Sequence, residues 1–289
     1  MVILNIGWCV MLKINLFLQS ISSPFWDFIF ITISNLITDI PLVITLCVIY
    51  WCINKEKGIK IGFILLNGMQ FNFIIKDIFK VERPYVKNSK IINKDIEYGY
   101  GYSFPSNHSQ ISSSFLFSFA RYFNISKVFI PSLILVLMIC FSRVYLGVHS
   151  ILDVSVGFIL GITFVKVLGN IIDKIIESKK YYLAFLFLIL GIIGMFVFKN
   201  EDSFKITSIY FGFLTGFLIE NKYIDYKIPQ KTKYKVINLI IGISGIALIY
   251  IFSPDILKYF LIGLWVTLPA PWLFKITERI IENDNRKNK

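Results

Sequence analysis

Residues 127–173 read KVFIPSLILVLMICFSRVYLGVHSILDVSVGFILGITFVKVLGNIID. Two apolar runs, 127–146 and 149–173, flank a very short connection, and neither alternates apolar with polar residues as a half-buried strand would. A membrane span needs about 20 mostly apolar residues. A helix is also the one backbone form, closed barrels apart, that satisfies its own hydrogen bonds in lipid. The stretch therefore reads as two transmembrane helices whose connecting turn carries Arg143, His149 and, just inside the second helix, Asp153.

Outward from this hairpin the same pattern repeats near 37–54, 58–80, 106–122, 181–198, 205–221, 235–252 and 255–273, which predicts an all-α, polytopic bundle of about nine spans. Residues 24–36 (PFWDFIFITISNL) add a short or re-entrant helix. Composition agrees: 56% of the 289 residues are hydrophobic, 17% are charged and the mean hydropathy is +0.68. Cys9, Cys47, Cys52 and Cys140 are scattered through apolar stretches without a CxxC pair, which excludes a disulfide-built secreted fold. The opening MVILNIGWCVMLKINLFLQS lacks a basic segment and a small-residue cleavage site, so residues 1–23 are expected to form an interfacial helix. The organisation is then 1–23, a core over 24–175, and further spans with a basic tail over 176–289. Heavy use of Ile, Lys and Asn points to an AT-rich bacterial genome.

Lys and Arg exceed Asp and Glu by 12, a balance that in a soluble protein would suggest nucleic acid. Here the cations fill alternate short loops, so the positive-inside rule accounts for them and no nucleic-acid partner is expected. Lys55, Lys57 and Lys60, Arg121 and Lys127, Lys174, Lys179 and Lys180, five lysines between 222 and 235, and Lys275, Arg279, Arg286, Lys287 and Lys289 all fall on one side. That side is cytoplasmic and includes the C-terminus. The long loop 81–105 then faces outward with Arg83, Lys87, Lys90 and Lys94, against the rule. Anion binding would explain such a cluster.

The two histidines of the chain, His108 and His149, both fall at the outward ends of spans. Asp153 follows His149 by four residues, so the side chains are expected to meet on one helix face, the carboxylate holding the Nδ1 proton and leaving Nε2 free as a nucleophile. Lys76 and Arg83 in KDIFKVERP are seven apart, two turns along one helix face, with Pro84 ending the helix. In SFPSNHSQ, Pro105 and Ser106 open a span, where unpaired N–H groups and the helix dipole favour an anion. Three cations, a helix N-terminus, one histidine with its aspartate and a second histidine to protonate a leaving alkoxide make a phosphate cage.

These residues resemble the type-2 phosphatidic acid phosphatase and vanadium haloperoxidase superfamily, whose signature is K-x6-R-P, P-S-G-H and S-R-x5-H-x3-D. The chain reads Lys76 to Pro84, Pro105-Ser106-Asn107-His108, and Ser142-Arg143 to His149 to Asp153, with GYSF and VYLGVH as flanking phrases, so the likeness spans roughly 25–175. The resemblance implies a six-helix acid-phosphatase-like core. It also implies that His149 attacks phosphorus, that Asp153 orients it and that His108 protonates the leaving oxygen and then activates water. Lys76, Arg83 and Arg143, with Ser106 and backbone N–H groups, would neutralise the equatorial oxygens, with no metal or other cofactor. One position departs: Asn107 stands where the family has Gly; Asn is expected to keep the loop because it tolerates left-handed backbone better than other non-glycine residues, and its amide is expected to add a donor to the phosphate although its bulk narrows the site.

The function expected is a metal-independent lipid phosphate or diphosphate phosphatase at the outer face of a bacterial cytoplasmic membrane, undecaprenyl diphosphate, phosphatidylglycerol phosphate, phosphatidic acid and sphingoid-base phosphates being candidate substrates. The alternatives are a lipid phosphotransferase, a non-catalytic lipid-binding or transport protein of the same fold, and a haloperoxidase. The spans of 181–273 serve packing, homo-oligomerisation or lipid guidance, and the rings of Tyr98, Tyr100, Tyr102 and Phe104 belong at the membrane interface. A cysteine placed between 88 and 95 should react with an impermeant thiol reagent on intact cells; protection until the cells are opened would reverse the orientation.

Overall fold

The computed structural model describes residues 2–37, 39–198 and 200–287, with the side chains of 2–10, 39 and 282–287 outside that description. Cys9 and the tail cations Arg286, Lys287 and Lys289 therefore lie outside the described side chains. The chain folds into α1 (Val2–Ser20), α2 (Pro24–Asn35), α3 (Asp39–Val48), α4 (Lys55–Phe79), α5 (Pro84–Lys87), α6 (Asn107–Phe123), α7 (Ser126–Tyr145) and α8 (Ile151–Glu177). It continues with α9 (Leu186–Phe198), α10 (Glu201–Ile219), α11 (Thr232–Phe252), α12 (Asp255–Thr267) and α13 (Pro269–Lys287). No strand occurs among the described residues. The free Cys47, Cys52 and Cys140 are buried packing residues.

Among the described residues six helical segments are long and apolar enough to cross a membrane: Lys55–Lys87, Ser126–Tyr145, Ile151–Glu177, Tyr181–Phe198, Thr232–Phe252 and Asp255–Ile281. A seventh arises if α2 and α3 form one broken span. The two remaining apolar runs, at 106–122 and 205–221, became α6 and α10, which fail that test for a physical reason. α6, at 17 residues, is short and serine-rich, with Ser109, Ser112, Ser113 and Ser118 buried, and α10 opens with Glu201, Asp202 and Lys205 and buries Ser203 and Thr207. Helices enclosed by other helices do not need an apolar face on every side. Lipid-facing stretches do, and Ile159 and Val167 of α8 and Leu248 and Ile251 of α11 stand exposed.

Contacts divide the chain into two compact units, residues 1–42 with 71–170, and residues 43–70 with 171–289. In the first unit α8 approaches α6 through glycine. A Cβ on Gly157 would stand 2.4 Å from the Ser106 carbonyl, and one on Gly161 would stand 2.6 Å from the Gln110 carbonyl. Small residues four apart let two helix backbones meet in this way, the usual device where lipid supplies no hydrophobic drive for helix association. Ser106 caps α6, its Oγ accepting from Ser109 N at 3.4 Å, and Asn124 ends it in the left-handed conformation (φ 55°). The N-termini of α6 and α8 thus lie side by side.

α1 secures the turn that follows α7. The Asn15 amide, fully buried, donates to Val144 O at 2.8 Å and His149 O at 3.0 Å. One turn on, Gln19 donates to Ile92 O at 2.7 Å and accepts from Ile92 N at 2.9 Å, joining α1 to the loop 81–105. Gly147, at φ 77°, passes beneath that contact, and its missing Cβ would fall 2.5 Å from Ile92 O.

The second unit is built on a similar close pair, α10 against α12, where Cβ atoms on Gly212 and Gly263 would each fall 2.1 Å from a facing carbonyl. It also holds a polar network with no signal in the sequence reading: Lys55 pairs with the buried Glu220 at 2.5 Å, Glu220 accepts from Tyr226 N, and Asn238 donates to Tyr226 Oη and Glu278.

Gly161→Val should lower stability by about 1–3 kcal/mol, the usual cost of overpacking a close-packed contact. Ile159→Val, two residues away on the exposed face, should change it by less than about 0.5 kcal/mol. Unfolding of both variants in the same detergent checks the contrast.

Candidate active site

The site assembles in the first unit from the end of α4, the loop 81–105, the start of α6 and the turn from α7 into α8. α4 stops at Phe79, where Lys80 takes a left-handed conformation (φ 48°), and Arg83 is extended (φ −72°, ψ 154°). Lys76 and Arg83 are therefore not two turns apart on one helix face, as their spacing suggested. Pro84 disfavours a helical conformation at Arg83, so the helix ends earlier than expected. The two cations meet instead on the main chain of residues 100–103. Lys76 Nζ donates to Tyr102 O (2.7 Å) and Ser103 O (3.3 Å), while Arg83 donates to Tyr100 O (2.5 Å) and, from Nε, to Gly101 O (3.1 Å).

Arg83 then reaches the α7–α8 turn, where Nη1 donates to Val148 O at 3.0 Å and lies 3.3 Å from Nε2 of His149. His149 precedes α8, and its Nδ1 is 3.7 Å from Asp153 Oδ2. The pair is brought together as expected, but across the helix start and with a third group between them. Ser103 Oγ lies 2.6 Å from Asp153 Oδ2 and 3.3 Å from His149 Nδ1. The main chain of Ser150 also donates to Asp153 Oδ2 at 2.7 Å. Burial first, then the charges of Arg83, Lys76 and Arg143, hold the His149 imidazole well below its ordinary value, against a main-chain hydrogen bond with Ser103. At pH 7 the ring is neutral, and its Nε2 faces the Arg83 guanidinium.

Arg143 is fully buried and pairs through Nη1 with Asp95 Oδ2 at 2.5 Å and Ser34 Oγ at 2.6 Å. Its Nε and Nη2 have no protein partner among the described residues. Ser106 joins α6 to the same turn, its N–H donating to Asp153 O at 3.0 Å. Because Ser106 Oγ already accepts from Ser109, its own hydroxyl proton remains to be donated. His108, on the first turn of α6, has a buried Nε2 without a partner among the described residues, and its ring meets the Tyr98 ring edge-on at 5.6 Å.

Asn107 is the first residue of α6 and does not appear among the described residues with positive φ. The left-handed backbone that Asn was expected to tolerate is not required here; its Oδ1 is buried without a partner among the described residues. The basic cluster of loop 81–105 also resolves differently from expectation. Arg83 turns into the site, but Lys94 bonds Asp27 on α2 at 2.7 Å, and Asp27 takes the Tyr145 hydroxyl at 2.6 Å. That cation anchors the loop and faces a carboxylate rather than an external anion. Tyr100 and Tyr102 contribute their carbonyls to the cations, while the Phe104 ring meets Phe79.

The PAP2 superfamily model matches residues 57–177, and a PAP2 superfamily phosphatase transmembrane-extension model matches 204–279. The chain belongs to the PAP2 superfamily. Among curated relatives of this PAP2 chain, sphingosine-1-phosphate phosphatase 1 of Mus musculus is 29% identical over 163 residues, 52% of this chain and 37% of that protein. Dihydrosphingosine 1-phosphate phosphatase C823.11 of Schizosaccharomyces pombe is 30% identical over 155 residues, 49% of this chain and 37% of that protein. Dolichyldiphosphatase of Saccharomyces cerevisiae is 33% identical over 131 residues, 42% and 54% respectively. The chain thus spans little more than a third of the length of the first two. No solved structure matches it.

Asp95→Ala should destabilise the protein by about 3–5 kcal/mol, because it leaves the Arg143 charge buried without its carboxylate. Chemical unfolding in detergent measures this; a loss below about 1 kcal/mol would mean that Arg143 relies on other groups.

Proposed function

We propose that the protein is an integral membrane phosphatase that hydrolyses a lipid phosphate or diphosphate through a phosphohistidine at His149. The observation that carries this reading is the 3.3 Å approach of the Arg83 guanidinium to Nε2 of a neutral, fully enclosed His149. Four of the five guanidinium N–H groups already bond protein acceptors, so a phosphate oxygen that takes the remaining contact from the ring would set its phosphorus beside that nitrogen. A lipid-binding protein would need the cations but neither the nucleophile nor its aspartate.

Lys76, Arg83 and Arg143, with the Ser106 hydroxyl and the N-terminal N–H groups of α6, stabilise the charge spread over the three equatorial oxygens. Nε2 of His149 forms the bond to phosphorus as the bond to the lipid oxygen breaks. His108 gives that oxygen its proton, then takes one from the water that releases phosphate and restores His149. Side chains supply every charge and proton in the sequence, so it runs without a metal. The relatives' names divide between a sphingoid-base monophosphate and a polyprenol diphosphate, and a cage that grips the terminal phosphate accepts either as substrate. The positive-inside count supports an extracytoplasmic site and a cytoplasmic C-terminus.

Purified in detergent with EDTA, the wild type should release phosphate from members of a panel of lipid phosphates and diphosphates. His149→Ala should lower the rate by at least about 10⁴-fold, as loss of a nucleophile does. Activity that EDTA abolishes, or that survives His149→Ala, would overturn the reading.

A further inference from the structure

The proton inventory around His149 leads to a residue outside the three motifs. An arginine can only donate, so the nitrogen 3.3 Å from Arg83, Nε2, carries no proton, and the single proton of the neutral ring lies on Nδ1. Asp153 is too far to take it directly, since the 3.7 Å from Nδ1 to Oδ2 lies beyond the roughly 3.6 Å at which a contact no longer counts as a hydrogen bond. Ser103 Oγ occupies the gap, 3.3 Å from Nδ1 and 2.6 Å from Oδ2. A carboxylate only accepts, so the hydroxyl proton points to Asp153 and its lone pairs face the Nδ1 proton.

We infer that Ser103 is a positioning residue of this centre, its hydroxyl linking His149 to Asp153 and holding the imidazole in the tautomer that leaves Nε2 free. The inference rests on His149 being the nucleophile. When Nε2 bonds to phosphorus the ring becomes cationic and keeps its Nδ1 proton. The leaving oxygen takes the electron pair of the broken P–O bond and a proton from His108. Ser103 transfers nothing; it donates to Asp153 and accepts from Nδ1 throughout, carrying the carboxylate's stabilisation to the ring by mutual polarisation. The residue is well fixed for this: fully buried, with its N–H on Val81 O at 2.7 Å and its carbonyl taking Lys76 Nζ at 3.3 Å. The Ser103 main chain also raises the proton affinity of the ring, so the hydroxyl's share must be measured separately.

Ser103→Ala removes the hydroxyl and keeps the carbonyl. On a lipid phosphate that the wild type turns over, kcat should fall about a hundredfold, the scale of a lost general acid–base partner. KM and inhibition by inorganic phosphate should stay within about threefold, because Lys76, Arg83 and Arg143 are untouched. Ser103→Thr, which retains a hydroxyl, should recover at least about tenfold of the lost rate. An alanine variant within about threefold of wild-type kcat would overturn the inference, since the carbonyl would then suffice to orient the ring. So would a threonine variant as slow as alanine, or a loss of phosphate inhibition matching the loss of rate, which marks a collapsed site. A wild type that releases no phosphate would instead count against the proposed function, so the two failures are distinct.

Discussion

Three buried cations at one end of a helical unit set the terms for the rest of the structure. Lys76, Arg83 and Arg143 are 7%, 5% and 0% exposed. Holding a charge away from water costs several kcal/mol unless partners compensate it, and within a membrane the water is farther away still. The compensation takes a different form for each. Lys76 and Arg83 are solvated by the carbonyls of residues 100–103, and Arg143 by the Asp95 carboxylate and Ser34. The long polar loop 81–105 therefore serves as the solvent of the site, which explains why α1 and α2 clamp it through Gln19 and Asp27. Nε and Nη2 of Arg143 keep no protein partner among the described residues, which is the place a tetrahedral dianion would occupy under the proposed function.

Helix packing determines where that balance is struck. Gly157 and Gly161 let α8 run against α6 closely enough for the Ser106 N–H to reach the Asp153 carbonyl. The positive end of the α6 dipole and the His149 turn are thereby placed where, under the proposed function, they would address the same phosphate. Asn15, an amide in an apolar helix, fixes the turn from the other side. The chemistry thus depends on rigid elements and a pinned loop, which suits phosphoryl transfer, where catalysis is mostly positioning and charge.

The sequence was legible where it obeyed periodicity or a linear motif. Helical runs over 127–146 and 149–173 became α7 and α8, and the motif residues meet in one unit. It misled where tertiary context overrode local spacing. Lys76 and Arg83 look like one helical face until Lys80 leaves the helix, and Asn107 looks like a substitute for a turn glycine until it proves to be the first helical residue. It was silent about partners joined only by the fold: Asp95 with Arg143 lies 48 residues away, and Ser103 with Asp153 lies 50 away. A polar pair four apart in an apolar helix, Asn15 and Gln19, was the one available signal for the α1 clamp. Ser103 stood in the phrase GYSF, where nothing in the sequence distinguishes a bridging hydroxyl from any loop serine.

The central claim is that phosphate passes through His149. Acid-quenched samples would destroy a phosphohistidine, so the measurement is a base quench within milliseconds of mixing the protein with a lipid carrying a labelled phosphate, followed by peptide mapping. The account predicts label on the peptide containing His149, stable to base, lost in acid, and absent from His149→Ala. Phosphate release at full rate with no label trapped on that peptide, or label on His108 instead, would contradict it.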